Sequence, residues 1–180
     1  MGMGRAEVTA GLSELLKRDK LSRYWASEVT INWGRENECR VDFMDYSPRN
    51  QTIGGVEHGR FTCYEIKSCP DDFKSKNGHN FLGDDNYYVM TMATWKALMD
   101  ANQAAGKVIN QLPRFVGLYV AVPKSVGKSN KAISDEFMNP TKFTGESLQD
   151  WRLHKNTPSF VRDRVHSMSY LLFMMLRSGR

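Results

Sequence analysis

The stretch FTCYEIKSCPDDF, residues 61–73, decides how this chain is read. Its first half carries the β-branched and aromatic residues of a strand, which with Arg60 and Ser68 covers 60–68. Alternate side chains of a strand share a face, so Tyr64 and Ile66 point one way and Glu65 and Lys67 the other. Two opposite charges thus stand together at the end of an otherwise apolar strand. Ser68 and Pro70 then open a helix, with Asp71 and Asp72 in its first turn, where the helix dipole favours acids.

Upstream of it, residues 5–19 are predicted helical, because Val8, Leu12, Leu15 and Leu16 recur at helical spacing. The period then changes to two. YWASEVTINW (24–33) is predicted as a strand with Val29 and Ile31 on one face and Glu28 and Thr30 on the other. ECRVDFMDY (38–46) is predicted as a second, with Val41 and Phe43 opposite Asp42 and Met44. SPRNQTIGGVEHG, between the second and third strands, reads as a long turn marked by Pro48 and the Gly54-Gly55 pair.

Downstream, NYYVMTMA (86–93) reads as a strand and TWKALMDANQAAGK (94–107) as a helix. RFVGLYVAVP (114–123) is apolar enough for a strand buried on both faces. Residues 124–157 are polar and uneven, a loop with short elements. A last helix over 158–177 carries the stripe Val161, Val165, Met168, Leu172 and Met175. The order α-β-β-β-α-β-α-β-α predicts an α/β fold, a mixed central sheet with helices on both faces.

With 180 residues the chain is read as one domain, its core over about 5–125 and a C-terminal extension beyond it. A charged fraction of 25% beside 41% apolar residues suits a packed globular domain and excludes a disordered or fibrous chain. The formal charge of +5 permits a polyanionic partner without requiring one. Cys39, Cys63 and Cys69 show no metal-type spacing, and an odd count argues against a disulfide framework, so a reducing cytoplasm is the expected home. MGMGRAEVTAGLSELLKR lacks the apolar stretch of a signal peptide, and Ala6 stands where a myristoylation signal needs Ser or Thr. The most apolar run, MSYLLFMML (168–176), is less than half a membrane span.

The chemistry is concentrated around Glu65 and Lys67. Asp42 lies 23 residues before Glu65, on a strand joined to the third by a hairpin-like connection, so the two carboxylates can be sheet neighbours. Glu28, one strand further back, can join them. Converging carboxylates repel each other unless a cation neutralises them. Carboxylates, a backbone carbonyl such as that of Ile66, and waters are the ligands Mg²⁺ prefers. An adjacent lysine then orients a metal-bound water or stabilises charge on a phosphate.

Asp42, a loop, then Glu65-Ile66-Lys67 at the end of an apolar strand resembles the PD-(D/E)XK nuclease superfamily, whose core is an αβββαβ unit. CYEIKSCPDDF, with EVTI and RVDFM upstream and FVGLYVAVP downstream, is most similar to the MmcB-like DNA repair branch. That branch shows a glutamate in its first strand, an acid in the second, E-[IV]-K-[ST] in the third and an Asp-Phe pair just after. The resemblance covers roughly residues 5–125. It implies a restriction-endonuclease-like fold and Mg²⁺-dependent (or Mn²⁺-dependent) hydrolysis of DNA. Asp42 and Glu65 would be metal ligands, with the Ile66 carbonyl, Lys67 the catalytic lysine and Glu28 an auxiliary catalytic acid. Asp72 matches the Asp of the Asp-Phe pair. The 47–59 loop is longer than the pattern, and KSKNGHNFLGDD replaces the usual basic, aromatic start of the following helix.

The plainer alternative for Asp42, Glu65 and Lys67 is a solvated sheet face with a cross-strand ion pair. Asp45 points away from the Asp42 face and stays outside the site. His58 and His79, in glycine-containing loops, read as surface histidines, and Trp33 and Trp95 as core. Arg49, Arg60, Lys74 and Lys76 flank the site on loops, as contacts to a nucleic-acid backbone or as a solvated basic rim. Arg162 and Arg164 give the last helix a basic edge; its Met–Leu stripe reads as core, with a dimer as the alternative. Two further classes stay open: a nucleic-acid-binding module on the same fold that does not cut, and a protein-interaction domain.

Overall fold

The computed structural model describes residues 4–75, 77–105 and 112–179. Helix α1 (Arg5–Asp19) forms where the periodicity puts it, with Leu12, Leu15 and Leu16 fully buried. Then come β1 (Tyr24–Ile31), β2 (Cys39–Ser47), α2 (Ile53–Glu57), β3 (Arg60–Lys67), α3 (Pro70–Lys74), β4 (Asp85–Thr91) and α4 (Met92–Ala104). The chain ends with β5 (Val116–Pro123), α5 (Asn130–Met138), a 3₁₀ segment Gly145–Asp150, β6 (Trp151–Thr157) and α6 (Met168–Ser178).

Among the described residues, six strands join one open sheet in chain order. β1, β2 and β3 form an antiparallel meander, β3, β4 and β5 run parallel, and β6 returns antiparallel on the edge. Both parallel pairs have a helical crossover between their strands, as parallel geometry demands. Helices cover both faces. On one, α1 packs on Tyr64, Ile66, Tyr87, Val89 and Tyr119. On the other, α6 covers Val29, Val41, Met44 and Cys63, while α4 packs on Tyr88, Met90, Leu118 and Val120. β5 is buried at all eight positions, which explains its unbroken apolar run. Among the described residues no helix is long and apolar enough to cross a membrane.

Several elements differ from the sequence expectation, each for a local reason. The long turn contains α2, whose first turn is capped by Thr52 accepting from the Gly55 amide at 3.1 Å. β1 stops at Ile31 because Asn32 takes a left-handed φ of 56° and gives its amide to the Tyr170 hydroxyl. Trp33 is consequently 66% exposed instead of core, its ring under the Arg177 guanidinium, whereas Trp95 is buried as expected. β6 lies inside the region read as loop. Helix α4 begins earlier than 94, at Met92, because Thr91 caps the Thr94 amide; the expected end at 106–107 falls outside the described residues.

The last helix starts ten residues later than expected. Two amides of 158–167 bond residues just before sheet strands instead: Phe160 to the Phe115 carbonyl and Arg162 to the Asp84 carbonyl. Val161 and Val165, assigned to the stripe, are therefore exposed. Ser167 then caps the Tyr170 amide, and the buried face of α6 is Leu171, Met174 and Met175.

Candidate active site

Asp42, Glu65 and Lys67 meet where the sheet divides. The β2–β3 ladder ends at Phe43–Tyr64, while β3 stays paired to β4 as far as Lys67–Met90. An inner strand that loses one neighbour leaves backbone donors to satisfy. Asp42 Oδ2 takes one of them, accepting from the Ile66 amide at 2.8 Å. The split lies at the carboxyl ends of parallel strands, where open α/β sheets bind ligands.

The expected alternation of β1 and β2 breaks here. Glu28 has a φ of 54°, and the Glu28–Asp42 step is missing from an otherwise regular ladder. Ala26 and Val29 consequently share one face, as do Val41 and Met44, while Phe43 joins the opposite core. The Glu28 side chain is 57% exposed and forms a 2.6 Å ion pair with Arg40.

Glu65 and Lys67 do share a face, as strand geometry requires, but that face is not solvated. Glu65 is 0% exposed and Lys67 2%, so a surface ion pair does not describe them. Glu65 Oε1 accepts from the Asn80 amide at 3.3 Å, and Oε2 is buried with no hydrogen-bond partner among the described residues. Burial, then the Asp42 carboxylate, push the Glu65 pKa up to about 9. Asp42 is raised too, mainly by burial and against the Ile66 hydrogen bond. Burial lowers Lys67, opposed by Asp72, Glu65 and Asp42. The Lys67 ammonium donates to the Asn77 carbonyl at 2.8 Å and lies 3.4 Å from that of Asp72.

Asp72 organises the turn after β3. One oxygen accepts from the Ser68 amide and hydroxyl, both at 3.0 Å, and the other pairs with Arg5 at 2.6 Å. Asn80 bonds the Arg40 carbonyl. A polar cleft of about 770 Å³ beside them is lined by Asp42, Lys67, Asp72, Arg5, Arg40 and Glu28. Among the described residues no three His, Cys, Asp or Glu side chains form a metal cage. A cation at the cleft would meet two carboxylates, a backbone carbonyl and water, the kind of set by which Mg²⁺ is commonly held.

Gly78 fits between the charged pair and solvent. Its φ is 67°, and a Cβ there would stand 2.7 Å from Lys67 Nζ and 3.0 Å from Glu65 Oε2. Gly34 has a similar φ of 72° with nothing within 4 Å, and so serves as a control. Gly34→Ala is expected to cost about 1–2 kcal/mol, the backbone cost alone. Gly78→Ala is expected to cost more and to lower the melting temperature by a further ~3 °C, since each kcal/mol is worth about that much in a chain this size. Equal losses in thermal melts would show that Gly78 does not pack against the pair.

The other basic residues are placed differently than expected. Arg49 and Arg60 lie at the far end of the sheet, Arg60 bound to Asp85 at 2.6 Å. At roughly 3.3 Å per residue along β3, Arg60 is about 20 Å from the Glu65–Lys67 end, so neither arginine flanks the site. Lys74 is exposed on α3 beside it, and Lys76 falls outside the described residues. The arginines at the cleft are Arg5 and Arg40. Arg40 carries a sequence signal, two residues before Asp42 on the same strand; Arg5 has none, because α1 reaches the cleft only through the fold. His79 is tied to the Tyr88 hydroxyl and the Ser75 carbonyl, and His58 to the Gly54 carbonyl. Asp45 is buried and accepts from the Ser22 amide, outside the site.

Compared with known proteins, the chain matches no family model, no curated protein and no solved structure.

Proposed function

We propose that this chain is a metal-dependent phosphodiesterase acting on DNA, built on a restriction-endonuclease-like core of the PD-(D/E)XK kind and most similar to its MmcB-like branch. The order α1-β1-β2-β3-α3-β4, an antiparallel meander followed by a parallel fourth strand, supports that core. The observation that carries the function is Glu65 Oε2, buried without a partner among the described residues, beside Asp42 and Lys67 where β2 and β3 part. An unpartnered buried carboxylate oxygen is costly, and a cation removes the cost. Asp42, Glu65 and the Ile66 carbonyl would hold Mg²⁺ or Mn²⁺.

What the ion supplies when bound is neutralisation of the phosphate and of its leaving oxygen. The chain's own residues do the rest. Lys67, fixed by the Asn77 carbonyl, presents a buried ammonium that orients an attacking water and offsets charge growing on the phosphate. Asp72 positions the turn that holds Lys67. Arg5 and Arg40 offer donors to phosphates at the mouth, and Glu28 sets the pose of Arg40.

A panel of supercoiled, linear, single-stranded and forked DNA, with Mg²⁺ or Mn²⁺, tests this. The wild type is expected to cut, and Lys67→Ala to fall by about a hundredfold or more. If the wild type cuts nothing in either metal, hydrolysis is abandoned, and binding that persists in EDTA would make the chain a nucleic-acid-binding module.

A further inference from the structure

A second cationic site lies away from the cleft, where the end of α1 meets the edge strand β6. Lys20 follows the last turn of α1, and its ammonium sits 4.7 Å from the centre of the Tyr119 ring. The Lys155 ammonium, from β6, lies 5.6 Å from the same ring and 5.4 Å from that of Tyr87. Arg152 and His154, on the same strand, are near enough for their fields to act on one another and on Lys20. Like charges gathered this closely repel, and the repulsion joins burial in lowering both Lys20 and His154.

Asp19 offsets part of the Lys20 charge. Asp19, beside Lys20, is committed to Arg18 at 2.6 Å and to the Leu153 amide at 2.9 Å. Arg152 donates to the backbone carbonyls of Val126 and Gly127. A helix C-terminus favours Lys20, and charges on an edge strand discourage unwanted strand pairing. Neither effect explains why the two sets converge on one aromatic platform, with Lys20 half-buried and Lys155 exposed beside it.

We infer that Lys20, Arg152 and Lys155 form a binding surface for a nucleic-acid backbone, separate from the cleft and serving the same strand. An anionic polymer supplies countercharge to the three cations together, and the Tyr119 and Tyr87 rings hold the lysines in place for it. This goes beyond the phosphodiesterase reading and shares its partner. The spacing makes it specific. From Arg5 at the cleft to Lys20, α1 rises about 22 Å at 1.5 Å per residue. At about 3.4 Å per nucleotide, a strand touching both ends spans roughly six or seven nucleotides. Long substrates gain from the surface and very short ones do not.

The test is DNA binding by the full-length chain, measured against salt in Ca²⁺ and in EDTA, with duplex and single strands of about 30 nucleotides. Lys20→Gln/Lys155→Gln is expected to reduce the slope of log affinity against log salt by about two on duplex, and Lys20→Arg/Lys155→Arg to restore it. Oligonucleotides of about five residues are expected to bind the wild type and the Gln pair alike. An unchanged slope in the Gln pair overturns the surface, as does a wild type that binds no DNA. Cutting with an unchanged slope removes the surface and leaves the phosphodiesterase reading intact. A reduced slope in a chain that cuts nothing does the reverse.

Discussion

Asp42→Asn is expected to keep the fold and lose metal-dependent cutting by about a thousandfold, the equivalent of about 4 kcal/mol of transition-state stabilisation. The reasoning rests on two jobs done by one side chain. Asp42 Oδ2 accepts the Ile66 amide that β2 no longer reaches, and an asparagine oxygen does this equally well. The negative charge, however, is what would hold a cation against Glu65, and the amide has none. Asp42→Ala removes both. It is expected to be as inactive and less stable by about 1–3 kcal/mol, because a buried amide loses its acceptor. Single-turnover cleavage beside thermal melts separates the two effects. Wild-type cutting by the Asn variant would take Asp42 out of the site.

The main frame of the sheet was visible before the fold because local pattern and tertiary role agree there. α1 has its leucines at helical spacing and buries them; β5 is apolar throughout and buried throughout. On β3, simple alternation placed Glu65 beside Lys67 and Tyr64 beside Ile66, and α1 covers the second pair. What alternation missed is depth. A charged pair on a strand reads as solvated, and only the turn through Asn77, Gly78 and Asn80 reveals that this one is sealed.

Elements went unread wherever a partner distant in sequence overrides local preference. WRLHKNT sets two apolar residues, Trp151 and Leu153, against five polar ones and looks like loop; it is a strand because β5 offers an open edge. Residues 158–167 have the periodicity of a helix, but two of their amides are taken by Phe115 and Asp84. The break at Glu28 and Asp42 needs a left-handed glutamate, which no strand pattern announces. The register is the same on both sides of it, and only this step of the ladder is missing. Regular periodicity is blind to such a step.

Glu65→Gln is expected to stabilise the metal-free protein at pH 8 and leave it unchanged near pH 5. In the folded chain the Glu65 carboxyl holds its proton up to about 9, because burial and Asp42 disfavour the charge; in the unfolded chain it releases it at the ordinary glutamate value of 4.5. Between those values the folded state binds the extra proton, so stability falls as pH rises across the window and is level outside it. At 1.36 kcal/mol per pH unit, the loss between pH 5 and pH 8 is roughly 2–4 kcal/mol, allowing for relaxation around the site. Gln carries no charge to bury and escapes the loss, so its melting temperature should exceed the wild type's at pH 8 by about 4–10 °C. His154, whose lowered pKa gives the opposite slope, is common to both proteins and cancels in the difference. Mg²⁺ then supplies the decisive comparison. Added at pH 8, it is expected to raise the wild type's melting temperature towards that of the metal-free variant and to leave Glu65→Gln unmoved. A gap between the two proteins that ignores pH would refute the buried-carboxylate account. Equal stabilisation of both by Mg²⁺ would place the ion elsewhere and remove the metal from Glu65, and with it the role given to Lys67.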